Sequence, residues 1–158
     1  QVIESFYFAM SNGYTENCEL VFQEKLPYIK SVESEWDNET LNNYEVTKTF
    51  SKEEFCNLLN IECNQIMITD INRTNSGRIN TLKINDIEYK GTNIRKLLTL
   101  RSTDFDIKEE ENNIIITTRG SGHGVGMSQY GANGMAKEGA TYQQILNHYY
   151  QEIEFSKI

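Results

Sequence analysis

Apolar residues recur along this chain in two rhythms. Strand-like spacing places Ile66, Ile68 and Ile71 in residues 63–72, Leu82, Ile84 and Ile87 in 81–89, and Ile114 to Ile116 in 113–118, paired with 105–108. Residues 2–10 alternate poorly but are rich in aromatics, as in a strand covered on both faces. Residues 26–32 read as extended and 33–43 as a polar loop containing Trp36. Helical spacing begins after Ser51-Lys52-Glu53-Glu54, a capping box followed by Phe55, Leu58 and Leu59 on one face. It returns over 92–100, where Ile94, Leu97 and Leu98 are expected to be buried. Ser128 opens a further helix to about residue 137, and Thr141 caps the last, through Tyr150, with Tyr142, Ile145, Leu146 and Tyr149 in register. Turns fall at 11–13, at Asn75-Ser76-Gly77 and at the charged 109–111. The pattern predicts an α+β fold of mixed, mostly antiparallel strands and several short helices, in a single domain without internal repeats.

Composition narrows the function classes. The 158 residues suffice for a core, and 38% hydrophobic content with nine Tyr, seven Phe and one Trp argues against disorder. A net charge of −8 disfavours nucleic acid, which needs clustered Lys and Arg. No run approaches the roughly 20 apolar residues that span a bilayer. Cys18, Cys56 and Cys63 allow at most one intramolecular disulfide and lack the Cys-x-x-Cys spacing of a structural zinc site. No metal and no cofactor are expected.

The densest chemical signal is Gly120-Ser121-Gly122-His123-Gly124-Val125-Gly126-Met127-Ser128-Gln129-Tyr130-Gly131-Ala132. Four glycines at alternate positions lose much backbone entropy on folding, so a required geometry or a close ligand approach is implied. The block is not a Walker loop, because Met127 follows Gly126 where lysine is needed. It is not a dinucleotide fingerprint, because Val125 or Met127 stands where the third glycine belongs. It misses the nucleophile elbow by one residue, since Gly131 comes one step late after Ser128.

Gly120 to Tyr150 resembles the C-terminal signature of the stage II sporulation protein D family, peptidoglycan lytic transglycosylases of spore-forming bacteria and their relatives. The likeness continues through Gly134-Met135-Ala136, Tyr142, Ile145-Leu146 and His148-Tyr149-Tyr150. Gly77-Arg78-Ile79, Leu100-Arg101-Ser102-Thr103-Asp104-Phe105, Ser11-Asn12-Gly13-Tyr14-Thr15-Glu16-Asn17 and Pro27 to Val32 with Trp36-Asp37 also fit, in order. The resemblance implies a glycan-cleaving parent acting on denuded peptidoglycan strands during engulfment. It implies an extracytoplasmic setting between mother-cell and forespore membranes, an N-terminal membrane anchor, and a partner such as a cell-wall amidase. In that family the proposed catalytic acid is a glutamate on a helix preceding the region matched here. Residues 1–158 are therefore expected to be the C-terminal part of the catalytic domain, with the acid upstream of Gln1 and this chain alone inactive. The alternative is a non-catalytic glycan-binding or scaffolding module. Some members bind zinc through His and Cys in the segment matching residues 6–19, where this chain has Phe8 and Tyr14, with Cys18 and no His.

Lytic cleavage needs one carboxylate, first as acid at the bridging oxygen and then as base on the sugar's 6-hydroxyl. Glu4, Glu16 and Asp104 are the carboxylates with a claim to that role, and each reads as structural, Asp104 through Arg101 or the local backbone. Candidate substrate contacts are His123, Ser128, Gln129, Tyr130, Arg101, Ser102, Ser11, Asn12 and Tyr14. Three roles are open for His123: orienting the acid, bonding a sugar, or supporting the loop. Under the first two, His123→Ala would cut cleavage with little loss of stability. Ser128 doubles as a helix N-cap, Arg101 as a carbonyl donor, and Ser11, Asn12 and Tyr14 as turn residues. Trp36 is read as a core anchor that could also stack a sugar ring, and His148 as a packing residue.

Overall fold

The computed structural model describes residues 2–37 and 42–156, and the fold class is α+β as expected. The chain divides into two compact units, one from residues 1–41 and 121–158, the other from 42–120. Each has its own apolar core.

In the first unit, β1 (Tyr7–Phe8) pairs in parallel with β8 (Met127–Ser128), and α1 (Cys18–Val21), α4 (Gln129–Lys137) and α5 (Tyr142–Tyr149) complete it. Only two residues of the strand expected over 2–10, Tyr7 and Phe8, form one, and it is not covered on both faces, since Tyr7 is 59% exposed while Phe8 is buried. The core gathers Cys18, Ile29, Val125, Met135, Tyr149 and Tyr150, with Phe6, Trp36 and Ile145 packed around it. Both predicted caps form. Ser128 Oγ accepts from the Gly131 N–H at 3.1 Å, and Thr141 and Gln144 exchange the two bonds of a capping box. The polar loop read over 33–43 extends into residues 38–41, which lie outside the described residues.

The second unit holds β2 (Glu45–Ser51), α2 (Lys52–Leu59), β3 (Ile68–Arg73), β4 (Ile79–Ile84), β5 (Ile87–Lys90), α3 (Gly91–Leu97), β6 (Phe105–Glu110) and β7 (Asn113–Arg119). Two antiparallel sheets, ordered β2-β7-β6 and β3-β4-β5, share a core that includes Phe50, Phe55, Leu82, Ile84, Phe105, Ile114 and Ile116. The strand expected over 81–89 is broken into β4 and β5 at Asn85-Asp86, whose φ angles of 50° and 64° make the left-handed pair that reverses a two-residue hairpin. The strand expected over 63–72 starts later, at Ile68. Leu58 and Leu97 are 39% and 40% exposed rather than buried, and Cys56 takes the inward position on α2.

Cys56 is bonded to Cys63 across a separation of seven residues, leaving Cys18 free and buried. Closing so short a loop restricts the unfolded chain by about 2.5 kcal/mol. Reduction is therefore expected to lower stability by about 2 kcal/mol, read by denaturant unfolding with and without reductant.

Candidate functional site

Asp37 organises the polar heart of the first unit. It is 4% exposed, and its carboxylate accepts four hydrogen bonds. Oδ1 takes the Ser11 N–H at 2.9 Å and the Ser128 hydroxyl at 2.6 Å. Oδ2 takes the hydroxyls of Ser11 at 2.7 Å and Ser34 at 2.6 Å. Each serine oxygen also accepts: from the Gly13 N–H for Ser11, from the Gly131 N–H for Ser128, and from the Tyr149 hydroxyl at 2.7 Å for Ser34. A hydroxyl has one proton to give, so Ser34 donating to Asp37 makes Tyr149 the donor to Ser34. Burial pushes the Tyr149 hydroxyl up to about 12, against the bond with Ser34 and with the help of the Asp37 charge, so it keeps that proton at neutral pH. Gly131 fits over this cluster because a β-carbon there would lie 2.1 Å from the Tyr149 hydroxyl and 2.4 Å from Ser34 Oγ.

The glycine loop lies along the N-terminal segment. Met10 and Ser121 exchange both backbone bonds, at 2.9 and 2.8 Å, and the Glu16 N–H donates to the Gly124 carbonyl at 2.7 Å. Further on, the Met127 N–H reaches Phe6 O at 3.0 Å and the Tyr130 N–H reaches Ala9 O at 3.0 Å. Gly120, Gly122, Gly124 and Gly126 all have φ between 74° and 112°. The alternating glycines thus meet a backbone demand. Tyr150, whose hydroxyl burial pushes up to about 12, donates to Phe6 O at 2.6 Å and fastens the same strand from below.

His123 sits half-buried on this loop, and its Nδ1 accepts from the Val125 N–H at 3.1 Å. That acceptance places the ring proton of the neutral form on Nε2. Its ring meets those of Phe22, Phe8 and Phe6 at centroid distances of 5.1, 5.8 and 6.4 Å. The loop-supporting role is therefore present in the geometry, whatever else the residue does. An unchanged melting temperature for His123→Ala no longer follows, because the variant empties a space among three phenyl rings.

The other sequence candidates separate by exposure. Ser11 and Ser128 are fully buried, and Ser102 is 2% exposed. The reading of these three as sugar contacts is corrected, because their hydroxyls are spent inside the fold. Ser11 and Ser128 hold Asp37, while Ser102 donates to Arg119 O at 2.5 Å and accepts from the Asp104 N–H at 3.2 Å. Arg101 donates to the Asn43 carbonyl at 2.5 Å, and with Ser102 it belongs to the second unit. Asn12 closes its turn by accepting from the Tyr14 N–H at 3.3 Å. Gln129, Tyr130 and Tyr14 are exposed. His148 packs as expected, its ring on Trp36 and Tyr149 and its Nε2 2.7 Å from Glu33 O.

The candidate catalytic carboxylates are engaged or open to water. Asp104 lies between Arg73 and Arg119 at 3.3 Å from each, not on Arg101. Glu16 is 2% exposed and accepts from the Asn17 N–H at 2.9 Å, while Glu4 is exposed. Among the described residues no group of three or more His, Cys, Asp or Glu is placed to hold a metal ion. Asp37 was missed as an organiser because only its fold brings together Ser11, Ser34 and Ser128.

No model of a known protein family matches the chain. Individual proteins do. The stage II sporulation protein D of Bacillus amyloliquefaciens is 45% identical over 157 residues, 98% of this chain, and that of Bacillus subtilis is 44% identical over 159 residues, 99% of it. The chain belongs to the stage II sporulation protein D family. It spans 45% and 46% of the length of those two relatives. A shorter likeness, 35% over 81 residues, links 49% of this chain to 12% of a Bacillus subtilis protein named amidase enhancer. Within the family frame, the glycine–histidine loop and the Asp37 cluster form one hydrogen-bonded scaffold, joined through Ser128 and the backbone of residues 121–131.

Proposed function

We propose that this chain acts in cell-wall remodelling during sporulation, as the C-terminal part of a lytic transglycosylase that cleaves denuded peptidoglycan strands at engulfment. The observation that carries the reading is 45% identity to a stage II sporulation protein D across 98% of the chain. In this reading a glutamate upstream of Gln1 supplies the general acid. The engaged state of Glu16 and Asp104 supports a donor from outside these residues. The braced glycine–histidine loop offers what an oxocarbenium-like transition state requires of its surroundings, namely groups that do not reorganise during reaction. The Cys56–Cys63 disulfide supports an extracytoplasmic, envelope location, since such bonds persist in oxidising compartments. A membrane anchor belongs to the proposal for the whole protein.

A second reading is a glycan-gripping module that works beside a cell-wall amidase. The likeness to a protein named amidase enhancer favours it. Assaying glycan retention and glycan turnover for the 158-residue chain and for the intact protein separates the two. The first reading expects turnover by the intact protein and retention without turnover by the chain. Retention without turnover by both leaves the second reading standing.

A further inference from the structure

Beside α4 lies an open cleft of about 650 Å³, within the size range of small-molecule sites and lined by Glu35, Trp36, Tyr130, Asn133, Lys137 and Glu138. We propose that this cleft is a subsite for an uncharged N-acetylhexosamine unit of a glycan, with Trp36 as its stacking platform. The inference rests on the glycan reading above and adds to it the place and the kind of sugar.

Trp36 is held ready. Its indole N–H donates to Glu138 Oε2 at 2.8 Å, and its ring meets the His148 ring edge-on at 5.1 Å and 89°. From behind, α4 can approach only because residue 134 is glycine, since a β-carbon there would lie 2.4 Å from Trp36 Cβ. A glycine inside a helix costs about 1 kcal/mol relative to alanine, and here it seats the indole. A ring fixed on two sides loses little freedom when a ligand stacks on it.

The rest of the lining suits a sugar. Tyr130, Asn133 and Lys137 stand at one-turn intervals along one stripe of α4, and Tyr130 is 39% exposed. A pyranose presents a face of C–H bonds to an aromatic ring and hydroxyl or acetamide groups at its edge. The Asn133 amide can both donate and accept at such an edge. Charge selects further. Two carboxylates, Glu35 and Glu138, face one ammonium, Lys137, so an uncharged hexosamine is favoured over a sugar bearing a carboxylate.

Trp36 is the sole tryptophan, so its fluorescence reports this cleft directly. Titration of the chain with N-acetylchitotetraose should give a saturable change in emission. Tyr130→Ala and Asn133→Ala should each weaken it about tenfold. Asn133→Ala, on an exposed helical position, should leave the melting temperature unchanged, which separates lost contact from lost fold. Absence of a saturable change up to millimolar ligand overturns the proposal, as does a change that both variants leave intact. If the intact protein cleaves glycan while Trp36 stays silent, the subsite alone fails. If Trp36 responds and no cleavage occurs, the subsite stands and the transglycosylase reading fails.

Discussion

Asp37→Ala is expected to destabilise the first unit by about 3–5 kcal/mol, the cost of leaving several buried hydrogen-bond donors without their common acceptor. The carboxylate is 4% exposed and accepts four hydrogen bonds, from one backbone N–H and three hydroxyls. Its removal strands those donors in a site that water reaches poorly, at about 1–3 kcal/mol for a buried unsatisfied group. The effect spreads because the same serines accept from Gly13, Gly131 and Tyr149, so a turn, the start of α4 and the end of α5 lose their common anchor. Asp37→Asn keeps the shape and one acceptor oxygen, and should lose less than Asp37→Ala. Denaturant unfolding of both variants measures this. A loss under about 1 kcal/mol for alanine would show that the network contributes little beyond what water supplies.

Gly126→Ala should be comparably severe, at about 3 kcal/mol or more, by a different route. The φ of 78° at this position costs a residue with a β-carbon about 1–2 kcal/mol. The added carbon would also lie 2.0 Å from the Phe6 carbonyl oxygen and 2.8 Å from its carbon. That carbonyl accepts from the Met127 N–H and from the Tyr150 hydroxyl, so it cannot withdraw without breaking the β1–β8 pairing. Gly139 is the internal control. Its φ is 94°, yet a β-carbon there would meet nothing within 4 Å, so Gly139→Ala should cost only about 1 kcal/mol. Equal melting-temperature losses in the two variants would mean that the close approach of Phe6 carries no weight.

Legibility in the sequence followed the range of the interactions. Ser51, Ser128 and Thr141 were readable as caps because each bonds an N–H three residues on, a purely local event. The β6–β7 pair was readable because Ile114 and Ile116 alternate with half-exposed neighbours. The strand β2 left little trace, because it is an edge strand of mostly exposed residues with Phe50 alone fully buried. Its register is set by β7, some 70 residues away, not by its own pattern. The Asn85-Asp86 reversal hid inside an alternating run, since Ile84 and Ile87 each fit a continuous strand.

The site divided along the same line. The glycine–histidine loop announced itself by composition, and its left-handed backbone is local. Asp37 gave no such signal, because its partners Ser11 and Ser128 lie 26 and 91 residues away. The same distance hid the second partner of those hydroxyls, which read as turn and cap residues that could also contact sugar and which in the fold bond Asp37.

The most direct test of the central claim is the chemistry of the product ends. Purified glycan strands freed of peptide are incubated with the intact protein that contains this chain, and the released fragments are weighed by mass spectrometry. Attack by the sugar's own 6-hydroxyl eliminates water from the account of the reaction, so the fragments should end in 1,6-anhydro-muramyl units, each one water lighter than a reducing end. Fragments with ordinary reducing ends, formed by the intact protein on the same substrate, would contradict it.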